Sequence, residues 1–151
     1  MPQIEESIII AATPAQIWET LMDLESWQKW NTFVTSIKVK PPHTDLCVGS
    51  QQVIEINRSQ SYTNTVLILN PKKELRWHGS ILTPMFFDTE HWCLLESVEG
   101  DEESTRFTQG ERFSGILAPV VGAMGKLDEL SEGYVRMNRD LKQMAESNVE
   151  G

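Results

Sequence analysis

His91 and Glu111 are the two residues of this chain whose chemistry is easiest to couple. They fall in two extended segments, 85–98 and 104–114, on either side of an acidic tip at 99–103. If the hairpin turns about Asp101, residues whose numbers add to 202 face each other. Ser97 then meets Thr105, Leu95 meets Phe107, Cys93 meets Gln109 and His91 meets Glu111. Side chains alternate with period two, so all of these share one face. That face looks inward, because the other side of the last segment carries Arg106, Thr108 and Arg112. A carboxylate beside an imidazole holds one tautomer and raises its proton affinity, a usable acid/base arrangement. The alternative is a satisfied buried polar pair that braces the sheet. A slip of one residue would send the whole set to the other face.

Other chemistries find no support. There is no G-x-S-x-G elbow, phosphate-cradling glycine loop, H-E-x-x-H pair or dinucleotide fingerprint. His43, His78 and His91 are scattered, so no metal centre and no cofactor are expected. Cys47 and Cys93 fit no zinc spacing and read as reduced thiols. Cys93 shares the face of His91, but no neighbour in the sequence stabilises its thiolate, and packing is the plainer role.

The element that must position these residues is the end of the chain. Apolar residues recur at Val120, Ala123, Met124, Leu127, Leu130, Tyr134, Met137, Leu141 and Met144, the spacing of one helix face. A continuous helix from Pro119 to Ala145 would be roughly 40 Å long. Gly122 and Gly125 near its start mark a bend or a close approach. Before it, residues 4–12 read as a strand. Thr13-Pro14-Ala15-Gln16 is a helix start with a capping box, and a second brief helical turn covers 26–30. Extended segments follow at 33–40, 51–57, 62–69 and 74–81, then the hairpin, with breaks that include Pro41-Pro42, Gly49, Asn70-Pro71 and Pro84.

Strands and helices segregated in this way predict an α+β domain with a mainly antiparallel sheet. The 151 residues, 40% hydrophobic with five tryptophans, make one domain, 1–151, with enough apolar mass for a real core. A curved seven-stranded sheet around one long C-terminal helix leaves a gap between the layers, and function is expected there. A formal charge of −9 repels phosphate backbones and anionic headgroups, so nucleic acid is not an expected partner. The chain has no apolar run of membrane-spanning length and no basic signal-like start, which points to a cytoplasmic protein without stable membrane insertion. Oligomeric state is not legible.

The same residues carry a resemblance. Trp27-Gln28-Lys29-Trp30-Asn31-Thr32-Phe33 resembles the aromatic, two residues, W-N-P-F segment of the SRPBCC superfamily, the START-like or helix-grip fold, in its polyketide cyclase/dehydrase branch. Val48-Gly49, Leu75-Arg76-Trp77-His78-Gly79, His91, Met137-Asn138 and Leu141-Lys142 match in order. The stretch from Thr105 to Pro119 is similar to T-x-x-T-x-x-E-x-F-x-G-x-L-A-P. In two places the chain departs: Thr32 replaces the proline, and Cys93 stands where a larger aromatic is common, which implies a roomier pocket. The resemblance implies a helix-grip fold that takes a hydrophobic small molecule, lipid or polyketide-like, and sometimes turns it over.

Two functions stay open on this reading. One is a binding module, with Trp77, Cys93, Leu95, Phe107, Gln109 and Phe113 lining the cavity from the sheet. Met124, Leu127, Leu130, Ser131, Tyr134 and Asn138 would line it from the helix. The other is a cofactor-free cyclase, dehydratase or isomerase in which His91 moves a proton and Glu111 orients it.

Overall fold

The computed structural model describes residues 2–81 and 85–150. Pro84, expected as a break, lies outside them. The seven strands are β1 (Gln3–Ile10), β2 (Val34–Val39), β3 (Gln51–Ile56), β4 (Gln60–Asn70), β5 (Glu74–Ile81), β6 (Phe87–Val98) and β7 (Asp101–Ser114). They form one antiparallel sheet in the order β1-β7-β6-β5-β4-β3-β2. The first strand therefore closes one edge and the second the other, and the chain crosses between them through α1 (Pro14–Met22), a 3₁₀ turn (Leu24–Ser26) and α2 (Trp27–Trp30). The curled antiparallel sheet with its C-terminal helix is the helix-grip arrangement that the strand order predicts.

Local chemistry explains the joints. At α1 the expected capping box is present: Gln16 N–H donates to Thr13 Oγ1 (3.2 Å) and Thr13 N–H to Gln16 Oε1 (2.8 Å). After α2, Asn31 Oδ1 accepts from the main-chain N–H of both Phe33 (3.0 Å) and Val34 (2.9 Å), which turns the chain into β2. The hairpin between β6 and β7 is tighter than expected. Its tip is Glu99-Gly100, and β7 already begins at Asp101, with a register shift at Ser97/Val98. Four acidic residues near a turn signal a loop by composition, yet an exposed strand end tolerates them.

The C-terminal helix is not continuous. α3 (Ala118–Ala123) is followed by Met124-Gly125, where Gly125 has φ +75°, and α4 runs from Lys126 to Glu150. A left-handed residue ends one helix and re-aims the next. The stripe before the break consequently misses the core: Val120 is 53% exposed and Met124 65%. Beyond it Tyr134, Met137, Leu141 and Ala145 are buried against the sheet, and Leu127 and Leu130 are partly buried. No helix of the described residues is long and apolar enough to cross a membrane.

The middle of α4 is clamped to the segment after α2. Phe33 stacks edge-on to Tyr134 (5.3 Å between centroids), and its ring lies where Gly133 has no side chain. Asp140 Oδ2 accepts from Thr32 N–H (2.8 Å) and Thr32 Oγ–H (2.6 Å), while Arg136 donates to Thr32 Oγ1 (3.1 Å). Thr32 thus supplies an N–H that the proline common at this position lacks. A Cβ at Gly133 would overlap the Phe33 ring, and the helix backbone cannot retreat without breaking the Thr32 bonds. Gly133→Ala, which would raise helix propensity at an open site, is expected instead to destabilise by about 1–3 kcal/mol, read as a lower midpoint in urea at unchanged slope.

Candidate functional site

The concave face holds two apolar clusters. The larger unites Ile10, Leu21, Trp27, Leu75, Trp77, Cys93, Leu95, Phe107, Met137 and Leu141, among others. The smaller is Phe87, Phe113 and Ala118, covered by Val121, Leu127 and Leu130. Leu130 packs against both. Between the clusters the inward positions turn polar: on β6 they are Thr89 and His91, and on β7 Gln109 and Glu111. The β6–β7 register is the one expected, with His91 opposite Glu111 and Cys93 opposite Gln109.

Facing in register does not make them partners. His91 Nε2 lies 3.0 Å from Gln109 Oε1, and Glu111 Oε1 accepts from the Tyr134 hydroxyl at 2.6 Å. The expected His91–Glu111 hydrogen bond is replaced because α4 brings its own phenol to the carboxylate. Gln109 in turn reaches the imidazole diagonally along the sheet.

The chain of bonds behind Gln109 fixes the imidazole. The Glu6 carbonyl oxygen can only accept, so Asn138 turns its Nδ2 to it (3.2 Å). Asn138 Oδ1 then accepts from Gln109 Nε2 (2.6 Å), which leaves Gln109 Oε1 for the imidazole. An oxygen there requires the proton on Nε2 and leaves a lone pair on Nδ1. Nδ1 is buried and has no hydrogen-bond partner among the described residues. The ring packs against Trp77 (5.2 Å, 25°) and Tyr134 (5.2 Å, 33°). Burial pulls the His91 pKa down to about 4, against the upward pull of the Gln109 bond, so the ring is neutral.

The opposite shift acts on the acid. Burial raises Glu111 to about 7, and only the Tyr134 bond opposes it. Tyr134 itself is pushed well above its ordinary value, first by burial and then by Glu111. Burial also lifts the Cys93 thiol to about 12, so Cys93 is packing and not a nucleophile. No Lys or Arg occupies an inward position on the described part of this face. Arg76 and Arg112 lie on the other side of the sheet, bonded to Glu90 at 3.0 Å each.

The expected site residues therefore separate into groups. Trp77, His91, Gln109, Glu111, Tyr134 and Asn138 come together. Ser131 joins them through Glu6, to whose Oε1 it donates at 2.5 Å. Phe113, Leu127 and Leu130 belong to the smaller cluster, and Leu95, Phe107 and Cys93 to the depth of the larger one. Met124 is outside, on the solvent side of the break at Gly125. Glu6 was not anticipated, although it shares parity with Ile4, Ile8 and Ile10 on β1. Gln52 and Asn64 form a second buried amide pair across β3 and β4. Where an open cavity is expected, the structure packs Phe33, Tyr134, His91 and Trp77 ring against ring. Depressions of about 600 and 210 Å³ lie elsewhere, one against Pro14, Pro71 and Leu95, the other against Thr32 and Arg58.

The model of the family described as polyketide cyclase / dehydrase and lipid transport matches residues 1–146. None of the curated proteins matches significantly. Among solved structures, the protein jhp0584 of Helicobacter pylori superposes with a TM-score of 0.77 at 16% identity, over 95% of this chain and 88% of that one. XoxI of Bacillus cereus gives 0.73 at 15%, over 100% and 99%. DynU16, a protein of the dynemicin biosynthetic locus, gives 0.71 at 14%, over 97% of this chain and 48% of its own. At these identities the structural matches show the fold alone.

A carboxyl whose pKa rises on folding contributes stability that is present below its ordinary 4.5 and lost as pH climbs through about 7. Glu111→Gln keeps an acceptor for Tyr134 and cannot ionise. It should match the wild type near pH 4.5 and exceed it at pH 8. The gap should be at most about 3 kcal/mol, since part of the residue still meets water. Parallel denaturation curves across that range would show that the carboxyl is not buried.

Proposed function

Because this chain belongs to the polyketide cyclase/dehydrase and lipid transport family, we propose that it binds a hydrophobic or aromatic small molecule, lipid-like or polyketide-like, between the sheet and α4. The observation that carries this reading is the polar seam between the two apolar clusters. A core that served stability alone would close the seam with carbon, since each buried polar group left unpaired costs about 1–3 kcal/mol. Instead the seam holds an imidazole with a free acceptor, under a helix whose first turns, at Leu127 and Leu130, are only partly buried. Affinity would come from apolar area, at about 25 cal/mol per Å², and orientation from the few polar groups.

Access fits the α3 end. Met85, Phe86, Ile116, Leu117 and Val120 are exposed there, and the two loops are tied by Ile116 N–H to Met85 O (3.0 Å) and Leu117 N–H to Phe86 O (2.9 Å). With the rings closed on each other, a ligand enters by moving α3 and the first turns of α4 about Met124-Gly125. A cytoplasmic location is part of this proposal, and the net charge of −9 argues against a nucleic-acid partner.

One observation favours a second reading, the cofactor-free cyclisation, dehydration or isomerisation of a polyketide-like substrate. Glu111, at about 7, can both give and take a proton near neutrality. On this reading Glu111 moves the proton, Tyr134 holds it in place, and His91 is a neutral hydrogen-bonding group. That reverses the roles expected from the sequence.

Nile red, a neutral apolar dye, should bind with a micromolar or lower Kd. Leu130→Trp, at the residue shared by both clusters, should weaken it by about tenfold or more, equivalent to about 1.4 kcal/mol, in a folded protein. Absence of binding would remove the proposal. On the enzymatic reading Glu111→Gln should cut turnover by about 10² to 10⁴ while dye affinity survives. Equal turnover would leave binding alone.

A further inference from the structure

We propose that the ligand of the helix–sheet site is a neutral molecule ending in a hydroxyl or similar hydrogen-bond donor, which it gives to His91 Nδ1, and that carboxylate-bearing lipids are excluded. The inference rests on the reading that a small molecule binds between the sheet and α4, and adds what that molecule must carry.

Geometry supplies the acceptor. The Glu6 carbonyl anchors Asn138, Asn138 anchors Gln109, and Gln109 takes the Nε2 proton. The imidazole cannot change tautomer without leaving Gln109 Oε1 unpaired inside the protein. Packed against both Trp77 and Tyr134, the ring is also held against turning. Nδ1 is thus a fixed, buried lone pair, and no described protein group donates to it. A ligand hydroxyl repays the desolvation of that nitrogen, whereas an ether or a plain hydrocarbon does not.

The same face argues against anions. A buried carboxylate needs a cation or several donors. The described inward positions offer no Lys or Arg, and carboxyls of Glu111 and Glu6 stand at the seam instead. Arg76 and Arg112 are on the far side of the sheet and already bonded to Glu90. The Tyr134 hydroxyl, the one phenol donor at the seam, is taken by Glu111. A fatty acid would bring its charge to a place with no counterion among the described residues, where the single hydroxyl of Thr89 does not replace the several donors a carboxylate needs.

Three probes of one ring system separate the possibilities: 2-naphthol, 2-methoxynaphthalene and 2-naphthoate, titrated at pH 7 by calorimetry. The expected order is 2-naphthol tighter than its methyl ether by about tenfold, although the ether is the more apolar, with 2-naphthoate weakest. In His91→Phe, which keeps the ring shape, naphthol and ether should bind equally. If that variant does not fold, the ¹⁵N resonance of wild-type His91 Nδ1 decides: it should shift on adding 2-naphthol and stay in place with the ether. Equal wild-type affinities for naphthol and ether, or tightest binding of naphthoate, would overturn the inference and leave the binding site standing. If none of the three binds and Nile red also fails, the site itself is refuted.

Discussion

The hydrogen bond from Asn138 Nδ2 to the Glu6 carbonyl is the constraint on which the site depends. A main-chain carbonyl has no proton to offer, so this contact dictates the orientation of one amide, then of the next, and finally the tautomer of His91. It also joins α4 to β1 and, through Gln109, to β7 and β6. A network of this kind is stable only when nearly every member is satisfied, because an unpaired group in a low-dielectric interior keeps its full desolvation cost. Among the described residues every link is satisfied except His91 Nδ1, whereas Asn31 Nδ2, also buried without a partner, lies outside the relay.

Rigidity is unevenly shared along α4. Its middle is held on one side by this relay and on the other by Thr32, Phe33 and Arg136. Among the described residues the turns before Ser131 make no comparable hydrogen bonds to the sheet. They rest on partly buried leucines and on the small cluster of Phe87, Phe113 and Ala118. Such a division fits a binding fold: the fixed half presents polar groups in one geometry, and the looser half, ending at Gly125, can yield to admit a ligand.

Much of this was legible in the sequence, for identifiable reasons. Period-two alternation and a short acidic tip were enough to set the β6–β7 register to the residue, and Thr13-Pro14 with Gln16 marked α1 by its cap. The partners of His91 and Glu111 were not legible. Register decides which Cα atoms face each other, but the side chain of an opposing helix, here Tyr134, competes for the same carboxylate. Met124 was misplaced because helical periodicity cannot see a left-handed glycine: the stripe continues in sequence while the axis does not. Glu6 shares the parity of Ile4, Ile8 and Ile10 on β1, but nothing in the sequence sets its carbonyl or carboxyl apart from those of its neighbours. Thr32 and Cys93, the two departures from the family pattern, had different outcomes. Thr32 gained a bond to Asp140, and Cys93 is fully buried in the larger cluster.

The most direct test is the ¹⁵N spectrum of the His91 ring in the ligand-free protein, followed from pH 8 to pH 4. A ring locked by Gln109 and shut off from water should show a protonated Nε2 and a bare Nδ1, and should keep that form down to about pH 4. A proton on Nδ1, or titration near the ordinary value of 6.5, would contradict the account.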